Sequence, residues 1–458
     1  MKKIILFTLC VCAFTALFAQ SAEDELKFYK KSASGAEKRP LLTALEWDLS
    51  SWLTRNSDSD LVPDALLTKA KVEYKARQYT AAYLTILRYV YEFPDRQLNK
   101  DIVNRILVEF QTKQQDDLFK ALSPKNLPET TEDRLNLYFT VTNNLNLRNS
   151  LDYLLKEYAS FFARFPEYEN KDKIELLLGD LYRNNGNYLA ALSKYDKVWQ
   201  IYPSTKYKAA SLRMKGDIYA SEIKDYDLAK EYYDRVLKDF PNSVEVPTTY
   251  KHLALLEAEN RNYASAVENA QNAYEGYMQD GQKVRAYEAL MFKAEVQEKD
   301  LKNYNAAVKT LKDAANILKE NESFFVEAKE REAYIQSKNL KDPYAERVVW
   351  EEIALEYPKT ESGVQALYRA AELTEDFGET ESAKEKYNQV ILNRPQSKMA
   401  VKAQKRIKVL DKVAQKAAQK AEKEKNQQEK GQAQILKIVP AQGDNSNKSA
   451  KPSKPSID

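Results

Sequence analysis

At 458 residues the chain is long enough for two or three ordinary domains or for one long solenoid. Ten glycines and 30% charged residues, with Ala, Leu, Lys, Glu and Tyr prominent, favour helix and disfavour an α/β enzyme built on glycine-rich loops. A net charge of +3 excludes a strongly basic nucleic-acid binder, and a single histidine, His252, excludes multi-histidine metal sites and histidine-based acid–base chemistry.

Met1-Lys2-Lys3 followed by the apolar run Ile4 to Phe18 has the layout of a secretory signal, with the best cut after Ala19. Residues 1–19 are therefore expected to be removed. Both cysteines, Cys10 and Cys12, lie inside this segment, so the mature chain has no disulfide and no thiolate metal site. Leu9 and Val11 stand where a lipoprotein signal places a small residue before its cysteine. No other run is long and apolar enough to cross a bilayer. The expected location is the periplasm, free or held peripherally at the outer membrane.

Residues 20–57 open with a polar stretch, Ser21 to Lys38, expected to be loose. Leu42, Leu45, Leu49, Trp52 and Leu53 then fall at helical spacing and predict a packing helix over Leu41 to Thr54. From about residue 58 the prolines act as a ruler: Pro94, Pro128, Pro166, Pro203 and Pro241 recur every 34 to 38 residues, and Pro358 and Pro395 lie 37 apart. Nine helical hairpins over 58–395 fit this interval. Residues 95–128 are helical in pattern but scarcely a repeat, and the turn at Asp342-Pro343-Tyr344 reads as compressed.

Two neighbouring copies define the pattern. Gly179 matches Gly216, Tyr182 matches Tyr219, Tyr188 matches Tyr226, Ala191 matches Ala229, Tyr195 matches Tyr233, and Pro203 matches Pro241. The second copy carries one extra residue before its Tyr-x-x-Ala. Spacings of three and four put each set on one helical face. Small Gly179 and Ala191 are expected where two helices approach closely, with Tyr182 and Tyr195 filling the space beside them. Gly186, in Asn184-Asn185-Gly186-Asn187, can supply the positive φ of a turn. A lone hairpin of this kind cannot bury its apolar face, so neighbours must stack on it.

These residues resemble the tetratricopeptide repeat (TPR). The resemblance implies an all-α solenoid of about nine hairpins in a right-handed superhelix; no catalysis, cofactor or metal is expected. It also implies that the first helix of each hairpin faces a bound polypeptide. The corresponding positions are Lys173, Leu176, Leu177, Asp180 and Arg183, then Ala210, Arg213, Met214, Asp217 and Ala220, then Lys251, His252 and Leu255. The chaperone-binding type clamps a terminal carboxylate with Asn, whereas Asp180, Asp217 and Leu255 stand in that slot here, which points away from free C-termini as ligands. Tyr202-Pro203-Ser204-Thr205-Lys206 and Phe240-Pro241-Asn242-Ser243 resemble the exported envelope class that includes the outer-membrane assembly lipoprotein BamD and the TPR proteins of the Tol–Pal system. That class implies protein partners in the cell envelope.

Enzyme motifs are sparse. Ser221-Glu222-Ile223-Lys224 spells the S-x-x-K of penicillin-recognising enzymes, but the companion K-T-G is missing, since Lys359-Thr360 continues to Glu361. After Pro395 the composition shifts. Residues 396–430 read as a capping and then exposed helix, and 431–458 as a disordered basic tail with an apolar island, Ile435 to Pro440. Residues 396–458 hold 15 Lys/Arg against 6 Asp/Glu, so a net +9 tail follows an acidic body. The tail offers weak contact with cell wall or an anionic membrane surface, a second route to function beside a polypeptide groove.

Overall fold

The computed structural model describes residues 22–98 and 100–436, with side chains described as far as residue 428. The expected signal, residues 1–19, and the tail from residue 437, with most of the apolar island, lie outside the described residues. Among the described residues the chain is entirely helical. It divides into two compact units, with the boundary between Asn260 and Arg261.

The first unit opens with a helix where a loose segment was expected: α1 covers residues 22–35. Ala22, Leu26 and Ala33 fall on one face of this helix and are buried together with Ala36 against α2 (Arg39–Arg55) and α3 (Val62–Lys75), with Tyr29 packed beside them and Phe28 left exposed. The Trp52 indole N–H donates to the Ala22 carbonyl at 3.1 Å. Lys75 Nζ donates to the carbonyls of Ala33 and Ser34 at 2.8 and 3.2 Å, satisfying acceptors that the end of α1 leaves open. A helix so thin in buried apolar residues forms because tertiary partners meet both of its ends.

Hairpins follow: α3 with α4 (Tyr79–Glu92), α5 (Lys100–Leu107) with α6 (Thr112–Ala121), α7 (Thr131–Leu145) with α8 (Leu151–Arg164), α9 (Lys171–Asn184) with α10 (Tyr188–Ile201), and α11 (Lys208–Ile218) with α12 (Tyr226–Asp239). α13 (Val246–Glu259) packs on α12 and ends the unit. The weak repeat at 95–128 has a structural cause. α4 packs directly on α7, past the short α5–α6 pair. Arg88 on α4 binds Glu92 and, on α8, Glu157, each at 2.8 Å, and Arg164 on α8 returns to Glu92 at 2.7 Å. Burial alone would raise the Glu92 carboxyl, but the two guanidiniums outweigh it and hold it below its ordinary value.

The repeat positions behave as the spacing predicts, with one refinement. Gly179 and Gly216 make room for a ring: a Cβ on Gly179 would stand 2.4 Å from the Tyr195 ring, and one on Gly216 2.6 Å from Tyr233. Ala191 and Ala229 are fully buried beside them, while Tyr182 and Tyr219 are only partly covered. Pro203 and Pro241 follow the ends of α10 and α12 by two residues. Gly186 takes φ +77° in the turn. The extra residue of the second copy is absorbed by a single π-helical turn, Tyr219–Ile223, closed by the Asp225 N–H donating to the Tyr219 carbonyl at 2.9 Å. Lys224 sits there at φ +64°, and Asp225 caps α12 through the Leu228 N–H.

The second unit repeats the scheme with α14 (Tyr263–Gln279), α15 (Lys283–Lys299), α16 (Tyr304–Ile317), α17 (Glu322–Ile335), α18 (Pro343–Glu356), α19 (Glu361–Asp376) and α20 (Thr380–Asn393), each packed on the next. The turn expected to be compressed at Asp342-Pro343-Tyr344 is widened instead. It is a second π-helical turn, Gln336–Leu340, with Lys341 at φ +55° and Asp342 capping α18. α21 (Lys398–Leu436) closes the unit against α20 and continues six residues into the stretch expected to be disordered.

Gly179→Ala and Gly216→Ala should each lower local stability. Overpacking costs roughly 1–3 kcal/mol, against about 1 kcal/mol regained in helix propensity. Gly35→Ala, where a Cβ meets nothing within 4 Å, serves as the control and should be neutral or slightly stabilising. Native-state hydrogen exchange across α9–α12 reads the effect; greater protection in Gly179→Ala would show that the glycine makes no room for the ring.

Candidate polypeptide-binding face

The positions assigned to a groove divide into three groups. Leu176 and Leu177 are core residues, which corrects their expected exposure. Leu176 packs with Ala191, Tyr195, Val198 and Ile218, and Leu177 belongs to the larger core centred on α4, α7 and α8. The first-helix face of α9 is thus narrower than a generic repeat suggests, because neighbouring hairpins close over Leu176 and Leu177. Lys173 is half-buried. Burial lowers its ammonium below the ordinary value and the neighbouring Lys206 adds to this. Met214 packs partly against the core holding Leu176, and Lys251 is partly exposed on α13.

Ala210 is buried in the core with Leu176, whereas Arg183, Arg213, Asp217 and His252 converge. Asp217, buried on α11, is the hub: its Oδ2 lies 2.6 Å from Arg213 Nη1 and 3.5 Å from Arg183 Nη1. Its Oδ1 accepts from the Tyr233 hydroxyl at 2.9 Å and lies 2.5 Å from His252 Nδ1. Arg213 Nε binds Glu245 Oε2 at 2.6 Å, tying the cluster to the start of α13. Four helices of the first unit, α9, α11, α12 and α13, therefore meet on one carboxylate.

Asp180 holds the same slot one hairpin earlier and is treated differently. Its Oδ1 accepts from the Tyr195 hydroxyl at 2.6 Å. Burial dominates and pushes its carboxyl above the ordinary value. At Asp217 burial pushes the same way, but the hydrogen bond to His252 and the charges of Arg213 and Arg183 outweigh it, leaving that carboxyl below its ordinary value.

A cavity of about 240 Å³ opens over this cluster. Arg183, Asp217, Tyr233 and His252 line it, and Ser221, Lys224, Leu255 and Glu259 are exposed at its edge. Sequence reasoning picked out the charged positions but missed Glu245 and the Tyr–Asp bonds. A signal for the latter was present: Gly-Asp followed by Tyr recurs in both strong copies. Ser221 and Lys224, the S-x-x-K pair, border the same cavity. Among the described residues Ser221 Oγ makes no hydrogen bond to Lys224 or His252, so the nucleophile–base contact that activates a serine is not formed.

Residues 207–243, which contain α11–α12, and 365–397, which contain most of α19 and all of α20, match the family model of the tetratricopeptide repeat. Two segments of the chain, one in each unit, therefore match the tetratricopeptide repeat, a motif associated with protein–protein interaction. No curated protein sequence matches it. Among solved structures it is similar to the P58(IPK) TPR domain, at 15% identity over 86% of this chain and 99% of that one, with a TM-score of 0.28. A tetratricopeptide repeat protein from Parabacteroides merdae is similar at 14% identity over 60% and 98%, with a TM-score of 0.30. Yeast Tom70 is similar at 14% over 87% and 93%, with a TM-score of 0.25. Likenesses of this size carry no weight for what the chain binds.

The two aspartates should respond oppositely to neutralisation. Asp217→Asn leaves Arg183, Arg213 and His252 short of a charge and should cost about 3 kcal/mol near neutral pH. Asp180→Asn keeps an acceptor for the Tyr195 hydroxyl while removing a charge that burial disfavours, and should stabilise. Asp217, depressed in the fold, contributes stability above the unfolded carboxylate value of about 4 and loses it as pH falls through its folded value. Asp180, raised in the fold, contributes below that unfolded value and loses its contribution as pH rises through its folded one. Both mutational effects should therefore fade on acidification, as exchange protection of α9–α12 against pH would register.

Proposed function

We propose that this protein is an exported, non-catalytic TPR scaffold that binds a polypeptide segment of an envelope protein along the first-helix face of α9, α11 and α13. The observation that carries the reading is the cavity over Asp217. Its walls are a charge-balanced network with little freedom left to lose, which lowers the ordering cost of binding. Its edge is mixed: Leu255, 40% exposed, offers an apolar anchor, and Lys224 and Glu259 offer opposite charges. A short extended or helical segment with one apolar side chain between polar ones suits such an edge. Export rests on Lys2-Lys3 and the apolar run behind them; a place in outer-membrane or envelope assembly rests on the resemblance of Tyr202-Pro203-Ser204-Thr205-Lys206 to the envelope class.

A photo-crosslinking side chain placed at Leu255 in living cells should trap a discrete polypeptide, and one placed at Leu189 on α10, 80% exposed, should not. Lys224→Glu should weaken the Leu255 product. Identical products at the two positions, or none at either, would sink the groove reading. Export is checked separately, by finding in the periplasmic fraction a processed chain that begins at Gln20.

A further inference from the structure

α21 carries a second surface, independent of the cavity. The helix is held to α19 and α20 along one edge: Ala400, Ala403 and Leu410 are buried, with Ile407 packed beside them. Arg406, on one flank of that seam, reaches the Glu375 carboxylate with two nitrogens, Nε lying 2.7 Å from Oε2. On the other flank Asp411 lies 2.8 Å from Lys384 on α20. These two pairs fix the rotation of the helix about its axis. With 3.6 residues per turn, Lys405, Lys408, Lys412, Lys416, Lys420 and Lys423 then fall within about a third of the circumference, centred opposite the buried seam. All six are exposed, and among the described residues only Lys420 forms an ion pair, with Glu424 at 3.8 Å. Asp411, the acidic residue nearest the start of the row, is turned away to Lys384. From Lys412 to Gln428 every residue is exposed, so the row runs ~27 Å along a helix that extends past its support.

We propose that this lysine edge docks the protein on an anionic phospholipid surface. Every charge in the row is a lysine, a hydrated point charge on a flexible stem, suited to a fluid array of phosphates rather than to two-pronged recognition. The single arginine of α21 is committed to the anchored side. The fan of six is wider than one facing helix would cover, whereas a plane reaches all of them. The one apolar side chain within the lysine arc is Val409, 46% exposed and too small to insert deeply, so the contact is electrostatic and salt-sensitive.

The test is co-sedimentation of the full mature chain with phosphatidylcholine vesicles, with and without phosphatidylglycerol, at low and high salt. The intact protein should bind only the phosphatidylglycerol vesicles, and high salt should release it. Lys→Gln at 405, 408, 412, 416, 420 and 423 keeps helix propensity and leaves the lysines beyond residue 428 in place; it should lower partitioning on the order of a hundredfold or more. Lys→Arg at the same six positions should bind like the parent. The proposal is overturned by equal binding of the Gln variant, by loss of binding in the Arg variant, by salt-independent binding, or by no binding to anionic vesicles. Tighter capture by soluble polyglutamate than by vesicles also overturns it and assigns the edge to an acidic polypeptide.

Discussion

Each strong hairpin turns on one contact: a tyrosine ring from the second helix laid on a glycine of the first, its hydroxyl given to the aspartate that follows that glycine. The ring buries a large apolar area, but its hydroxyl would be costly if left without a partner in the core. Gly179 supplies the space and Asp180 the acceptor for Tyr195; Gly216 and Asp217 do the same for Tyr233. Neither residue would serve without the other, since a Cβ would displace the ring and an apolar neighbour would strand the hydroxyl. Where Ala371 replaces the glycine, in α19, Tyr387 bonds instead to Glu375, about a turn further along at 3.2 Å. The device is therefore tunable, and the acceptor moves with the space available.

The Tyr–Asp bond also explains how a structural slot becomes a charged centre. Each hydroxyl requires a buried acceptor, and an ionised carboxylate is the strongest one available. A buried carboxylate needs compensation, and the two sites meet that need to different degrees. Asp180 has its tyrosine in direct contact and only distant guanidiniums, and burial wins. Asp217 has two arginines and His252, and the charges win. The cavity lies over the second site. There the polar groups are already paired by the fold, so a ligand meets a rigid wall whose charges are spoken for, and selectivity falls to the exposed edge at Ser221, Lys224, Leu255 and Glu259.

The sequence made legible what depends on local spacing. Gly179, Tyr195, Gly216 and Tyr233 recur at fixed slots because the hairpin contact demands them, and Pro203 and Pro241 mark helix ends because proline lacks an amide hydrogen. It hid what depends on distant partners. α1 looked polar because a few small or apolar residues suffice when Trp52 and Lys75 come from elsewhere to meet its carbonyls. Leu176 and Leu177 looked exposed because only the stacking of neighbouring hairpins closes that face. The widened turn at Gln336–Leu340 read as compressed because a π-helical turn gives no proline or glycine signal of its own. Residues 95–128 lost the repeat pattern because α4 packs directly on α7 and reaches α8 through Arg88, Glu92, Glu157 and Arg164, leaving the short pair free of the constraints that keep a repeat recognisable.

The closing helix of the second unit shows how an anchor can set the orientation of a surface at a distance along the chain. A basic helix with no fixed rotation would present its lysines evenly, as a solvated coat. Here the buried seam at Ala403 and Leu410, and the flanking pairs Arg406–Glu375 and Lys384–Asp411, remove that freedom within the first four turns. A continuous helix transmits the setting to the residues beyond, because each additional residue adds a fixed rotation. The pairs also draw off the charges that would blur the pattern: the only arginine and the nearest acidic side chain both face the body. What is left on the outer edge is a row of one sign. Its orientation is decided by contacts that lie on the opposite side of the helix.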